Sequence, residues 1–223
     1  GDLCRKHDCL LLLDTVTSLG GVPLYIDDWK VDLSYSCSQK GLSCPPGLGP
    51  FTMGPRAEAK MEARSGKVPN WYLDVSLLNK YWGSDRVYHH TAPVNMNFGM
   101  REALRLLAEE GLDQAWARHR RNAEALWSGM EGLGLTMHVP YERRLPTLTT
   151  VRIPDGVDGK AFSQHLLNTH GIEVGGGLGS LAGKIWRIGL MGFNSTPENV
   201  NHLLNLFETE LPKFSGTTAA AAA

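Results

Sequence analysis

Short apolar runs broken by Gly, Pro and Asp fill the first hundred residues, whereas apolar positions at three- and four-residue steps dominate much of the remaining chain. Leu10 to Leu13, Leu24 to Ile26, Leu33 to Ser36 and Phe51 to Met53 are predicted strands, one end of a sheet. Pro55 to Arg64 starts as a helix with proline in its first turn, Val75 to Trp82 is a short helix closed by Gly83, and Val94 to Glu110 is a longer one stopped by Gly111. Ser65 to Asn70 is a polar, basic loop. From Leu112, the residues Trp116, Arg120, Ala123, Leu126, Trp127, Met130 and Leu133 mark an amphipathic helix ended by Gly132 and Gly134. Strands are expected again at Leu135 to Val139, Leu148 to Ile153, Ile172 to Val174 and Ile185 to Ile188, with a helix from Gly159 to Thr169. Ser195-Thr196-Pro197-Glu198 reads as a capping box, followed by one apolar face of Val200, Leu203, Leu204, Phe207 and Leu211.

The change from strand-and-loop to long helix sets the expected domain boundary: residues 1–110, an α/β part, then a small α+β domain over 111–215. Residues 216–223, ending in alanines from Ala219, read as a disordered tail without core contacts. The 223 residues carry a net charge of -1, 42% hydrophobic and 20% charged residues, enough to bury a core in a globular protein. Near-neutral charge argues against a nucleic-acid partner. No apolar run has membrane-spanning length and no signal peptide opens the chain, so neither a membrane role nor secretion is expected. Cys4, Cys9, Cys37 and Cys44 lack zinc or disulfide spacing, which fits a reduced, intracellular protein.

Candidate chemistry starts at Lys40, in the loop Cys37-Ser38-Gln39-Lys40 that leaves the predicted strand Asp32 to Ser36. Asp14 closes the run Cys9 to Leu13, at the carboxyl end of a strand, where open α/β sheets bind ligands. A lysine able to form a Schiff base and a carboxylate for a pyridine nitrogen together suggest pyridoxal 5'-phosphate (PLP). Either residue alone has a plain alternative, a solvated lysine or a turn-capping aspartate. Gln39 stands where a phosphate-positioning group is useful, or is a loop amide bonded to its own backbone. Tyr88-His89-His90-Thr91 precedes a Pro93-led helix, so Tyr88 and Thr91 can offer hydroxyls to an anion or simply cap and pack. His89 and His90, adjacent on an extended segment, are expected to diverge, and no metal site is expected. Arg187 lies in the apolar run Ile185-Trp186-Arg187-Ile188, where a guanidinium needs an anionic partner: a substrate carboxylate, or a structural salt bridge. Gly175-Gly176-Gly177-Leu178-Gly179 is followed by no predicted helix, which excludes a dinucleotide loop and suits close backbone approach near Arg187.

Asp14-Thr15-Val16-Thr17-Ser18-Leu19-Gly20-Gly21, Ser36-Cys37-Ser38-Gln39-Lys40 and Lys184-Ile185-Trp186-Arg187-Ile188-Gly189-Leu190 resemble the alanine-glyoxylate (serine-pyruvate) aminotransferases, in the class V branch of fold-type I PLP enzymes. The resemblance runs from about Leu3 to about Leu211. It implies the C-terminal half of a PLP-binding large domain followed by a small domain, with the N-terminal half of the enzyme, and its phosphate cup and ring-stacking residue, outside the chain. It further implies Lys40 as the cofactor lysine and proton carrier, Asp14 at the pyridine nitrogen, Gln39 at the phosphate and Arg187 on the substrate carboxylate. Tyr88 and Thr91 would reach the phosphate of a neighbouring subunit, making a homodimer with shared active sites. The expected reaction moves an amino group from alanine or serine to glyoxylate or pyruvate. Kynurenine and phosphoserine aminotransferases, or a non-catalytic dimerisation fragment, are the alternatives. A cysteine desulfurase is disfavoured, because no cysteine follows Cys44 and Gln39 stands where desulfurases carry histidine. A peroxisomal or mitochondrial address is implied by the resemblance alone, with no C-terminal peroxisomal signal.

Overall fold

A computed structural model describes residues 1–216. The expected tail, apart from Gly216, lies outside the described residues. By contacts the chain divides into two units that interleave in sequence: Gly1–Val16, Leu24–Gln39 and Cys44–Leu104 form the first, while Thr17–Pro23, Lys40–Ser43 and the residues from Arg105 onward form the second.

In the first unit, α1 (Asp2–Lys6) leads into a three-stranded sheet of β1 (Leu12–Asp14), β2 (Leu33–Tyr35) and β3 (Phe51–Met53), ordered β1-β2-β3. β1 runs parallel to β2, with Asp14 opposite Tyr35, and β2 pairs antiparallel with β3. Along the β2 segment the buried positions are Asp32, Ser34 and Ser36, and the period of two therefore hides hydroxyls and a carboxylate while Leu33 and Tyr35 keep surface. Asp32, 2% exposed, accepts the Leu11 N–H at 2.8 Å and pairs with Arg56 at 3.1 Å. Three helices follow: α2 (Pro55–Glu62), α3 (Val75–Trp82) and α4 (Val94–Glu110), the last of which passes into the second unit at Arg105. Asp74 caps α3 by accepting the Ser76 N–H at 3.0 Å.

In the second unit, α5 (Leu112–Gly132), α6 (Gly159–His170) and α7 (Pro197–Glu210) pack with a sheet ordered β4-β6-β5, made of β4 (Leu148–Arg152), β5 (Gly175–Gly176) and β6 (Ile185–Gly189). Its core is aromatic at the centre. Phe162, Trp186 and Phe207 meet edge to face at centroid distances of 5.0 to 5.5 Å, and Leu126, Trp127, Met130 and Leu166 close around them. The two buried indoles keep polar partners, Trp127 Nε1 donating to Thr149 Oγ1 and Trp186 Nε1 to the Gly159 carbonyl.

Three expected strands are absent. Leu24 to Ile26 instead begins a turn, with Trp29 N–H donating to Tyr25 and Val31 N–H to Ile26. Leu135 to Val139 contributes only the bridge Met137–Val151 before Pro140. At Ile172 to Val174, pairing starts only at Gly175. The Ile172 N–H is consumed by the Leu166 carbonyl in the cap of α6, where Gly171 takes a left-handed conformation (φ 68°). The final helix also starts one residue later than the expected box: Thr196 is the cap, accepting the Asn199 N–H at 3.2 Å, and Glu198 falls too early to answer it. The four cysteines are free thiols, and no helix of the described residues is long and apolar enough to cross a membrane.

Candidate active site

Asp14 ends β1 and is exposed, yet both its oxygens are used. Oδ1 accepts the Val16 N–H at 2.8 Å and Oδ2 accepts the Tyr35 hydroxyl at 2.8 Å. The Val16 amide, and after it the Tyr35 hydroxyl, hold the carboxyl below the usual aspartate range, so it stays ionised at neutral pH. The same bond pushes the Tyr35 phenol up. Tyr35 is available because parallel pairing sets it opposite Asp14.

Hydroxyls continue this lacing beyond the strand ends. Thr15 Oγ1 donates to the Tyr35 carbonyl at 2.7 Å and Ser36 Oγ to the Thr15 carbonyl at 3.0 Å. Fully buried Ser38 donates to the Pro45 carbonyl at 2.7 Å and accepts the Leu48 N–H at 3.3 Å. Gln39, next along, is exposed, and the chain passes from the first unit to the second between it and Lys40.

Lys40 opens a tight turn to Ser43, whose N–H donates to the Lys40 carbonyl at 3.0 Å. Among the described residues the half-buried Lys40 ammonium has no ion-pair partner. The segment Gly192–Asn194 braces this turn: the Phe193 N–H donates to Ser43 Oγ at 2.7 Å. Gly192 has φ 61°, and a Cβ there would run into Ser43 Oγ and lie 3.1 Å from the Lys40 carbonyl oxygen, so only glycine allows the approach. Behind it, the Gly192 N–H donates to His119 Nε2 at 2.8 Å, while His119 Nδ1 donates to the Ala115 carbonyl at 2.6 Å. One nitrogen must therefore accept and the other donate, which fixes a neutral tautomer. Burial pushes the imidazole pKa down in the same direction. Arg118 ties the segment further, donating to the Gly192 and Ser195 carbonyls at 2.9 Å each and to Glu110 Oε2 at 2.8 Å.

This brace was missed in the sequence. His119 and Asn122, whose Nδ2 donates to the Ser195 carbonyl at 2.7 Å, lie one helical turn apart on the buried face of α5 between Ala115 and Leu126, and two polar residues inside an apolar stripe were the available signal.

Arg187 departs from its expected surroundings. It is half-buried rather than enclosed by apolar groups, because strand alternation turns it away from Trp186 and Ile188. Its register partner is Gly175, and its Nε donates to the Gly176 carbonyl at 2.6 Å, so the glycine-rich segment does permit close approach. No salt bridge engages it among the described residues. Tyr88 and Thr91 are both exposed and share a hydrogen bond of 2.9 Å. His89 and His90 do not diverge as expected: their Nδ1 atoms approach to 2.9 Å, because His89 turns inward to stack on Trp71 at a centroid distance of 4.0 Å. Asp14, Gln39, Tyr88 and Thr91 belong to the first unit, Lys40 and Arg187 to the second.

The fold is that of part of a fold-type I aminotransferase domain. The chain belongs to the class-V aminotransferase family, whose model matches residues 1–203. Alanine–glyoxylate aminotransferase of Callithrix jacchus is 46% identical over 205 residues, which are 90% of this chain and 50% of that protein. The crystal structure of alanine–glyoxylate aminotransferase from Nostoc sp. superposes with a TM-score of 0.91 at 64% identity, covering 93% of this chain and 55% of that one. Ureidoglycine-glyoxylate aminotransferase from Bacillus subtilis superposes with a TM-score of 0.92 at 37% identity, covering 99% and 57%. The chain spans about half the length of the curated relatives it matches.

Proposed function

We propose that the protein containing this chain is a PLP-dependent aminotransferase that moves the amino group of alanine or serine to glyoxylate or pyruvate. The similarity to proteins named as glyoxylate aminotransferases supports the acceptor. In this reading residues 1–110 are the C-terminal half of the large domain and 111–215 the small domain, in a homodimer.

The residues present fit the cofactor. A pyridinium partner has to remain ionised, and Asp14 does. A lysine that is to react with an aldehyde has to be free of a carboxylate, and Lys40 has none among the described residues. When bound, PLP supplies an electron sink for the pair released when the amino acid Cα–H ionises. Lys40 Nζ would hold the aldehyde of the cofactor and, as a free amine, would carry the proton at the substrate α-carbon. Asp14, pinned in one orientation by Val16 and Tyr35, would hold the ring nitrogen of the cofactor. The Arg187 fork, its Nε held by Gly176, turns its terminal nitrogens to the substrate carboxylate, fixing the Cα–H for removal. Gln39, with Tyr88 and Thr91 from a second subunit, is assigned to the phosphate. His119, through Gly192, keeps the Lys40 turn in place.

The single observation that carries the reading is the hydrogen-bonded brace on the turn that begins at Lys40, a lysine without an ion-pair partner among the described residues. The test is borohydride reduction in the presence of PLP, on the 223-residue chain and on the same chain extended to the length of its relatives, followed by peptide mapping. A pyridoxyl label on Lys40, with turnover abolished by Lys40→Ala, is the expected result. Near-normal transamination by Lys40→Ala would overturn the assignment.

A further inference from the structure

We propose that His165, His170 and Glu210 form a zinc site that clips the C-terminal ends of α6 and α7 together. His170 is the last residue of α6 and Glu210 the last of α7, so the cluster joins two helix ends within the second unit and uses none of the residues assigned to the cofactor. The candidate ligand atoms of the three side chains all lie within 4.8 Å of one another.

His170 Nε2 is shielded from solvent and has no hydrogen-bond partner among the described residues. Such an orphan requires an explanation, because a buried imidazole nitrogen without a partner is costly. Its neighbour is Glu210 Oε2 at 3.9 Å, too far for a hydrogen bond, while His165 Nε2 stands 2.7 Å from the same oxygen. Tetrahedral zinc with bonds of about 2.0–2.1 Å sets its ligand atoms about 3.3 Å apart. One contact here is longer than that and one shorter, and the remaining separation is within 4.8 Å, so the side chains have to shift to seat all three atoms on one ion.

The surrounding groups already orient the ligands. Thr169 Oγ1 lies 3.2 Å from His165 Nδ1, which leaves Nε2 for the ion, as ligating histidines generally require. Lys213 Nζ takes Glu210 Oε1 at 2.7 Å and leaves Oε2 turned to the histidines. The rings of His165 and His170 are 5.4 Å apart and nearly perpendicular, so they do not stack face to face. Two imidazoles and one carboxylate are the donors of a zinc-type ion rather than of calcium or magnesium, which take oxygen ligands. The fourth position is left to water.

The test uses the 223-residue chain stripped with a chelator and titrated with zinc chloride by calorimetry, with cobalt(II) absorption as the coordination readout and magnesium as control. Wild type is expected to bind one zinc through this cluster, to melt at higher temperature with zinc but not with magnesium, and to give a tetrahedral cobalt spectrum. His165→Gln and His170→Gln should each weaken zinc binding by at least about tenfold and abolish the zinc-dependent melting shift, and Thr169→Val should weaken it by about tenfold. Should His165→Gln fail to fold, His170→Gln decides alone, since its Nε2 makes no hydrogen bond that the substitution would break. Unchanged zinc affinity in His170→Gln, as would be seen if the free cysteines or His89 and His90 held the ion, overturns the proposal. So does the absence of zinc binding by wild type.

Discussion

The two units hold themselves together by different means. The second carries a continuous apolar cluster from Ala123 to Phe207, with four fully buried large aromatics at its centre. In the first, the buried residues include Thr15, Asp32, Ser34, Ser36, Ser38 and His89, while Leu12, Phe51, Trp71, Tyr72, Trp82 and Phe98 keep extensive surface. Hydrophobic burial is undirected and grows with area, so the second unit gains stability from bulk packing. Hydrogen bonds are directional and worth little net unless a partner is removed, so the first unit gains defined geometry from its polar lacing and is sensitive to loss of single partners. This contrast suits the proposed division of labour, in which Asp14 must point accurately and the second unit must support the Lys40 turn.

The sharpest way to break the contrast is a matched pair of truncations. Phe162→Ala should cost about 3–5 kcal/mol in denaturant unfolding, since Phe162 is fully enclosed by Trp186, Phe207 and Phe214. Phe51→Ala, at an exposed strand position, should cost less than about 1 kcal/mol. Equal losses would mean that the units do not differ in this way. Next in size, Asp32→Ala should cost about 2–3 kcal/mol, because it orphans the Leu11 N–H and strips Arg56 of its buried partner. A neutral result would show the polar lacing to be ornamental.

A smaller effect tests the second unit's share of the chemistry. Arg187→Lys keeps the charge and loses the planar fork, so kcat/KM for amino acid and keto acid should fall about tenfold or more while PLP affinity is unchanged. Unaltered kinetics in both half-reactions would return Arg187 to a structural role beside Gly176.

The smallest expected effect concerns pH. Burial lowers the His119 pKa from its usual 6.5, so the unfolded chain binds a proton more readily than the folded one. The stability that His119 contributes is then complete above about pH 6.5 and is lost as pH falls from there towards its lower folded value. Melting temperatures measured between about pH 7 and 5 should fall more steeply for wild type than for His119→Gln, which cannot take up that proton. Parallel curves would show that His119 can be protonated in place, and the tautomer-locked brace would be wrong.

Local chemistry made much of this molecule legible without a fold. The 3.6-residue period together with Gly and Pro stops located α3, α4 and α5, because helix bonds are local and their ends are marked by residue type. Lys40, Asp14 and Arg187 stood out as chemical residue types at strand ends or in apolar runs. Strands were another matter. Leu24 to Ile26, Leu135 to Val139 and Ile172 to Val174 have strand-like composition, but a strand exists only where a distant partner accepts its bonds, and here turns, a single bridge and a helix cap took those groups instead.

What only the tertiary structure decided was which distant groups meet. Tyr35 reaches Asp14 through parallel register, Gly192 reaches the Lys40 turn through a left-handed glycine, and His119 holds that glycine from a helix 73 positions earlier. His165, His170 and Glu210 converge because α6 and α7 end side by side, a fact their separation of 45 and 40 positions hides. Sequence determined the elements and the reactive residue types because those depend on neighbours in the chain; the orientation of each reactive group depended on neighbours in space, which no local pattern encodes.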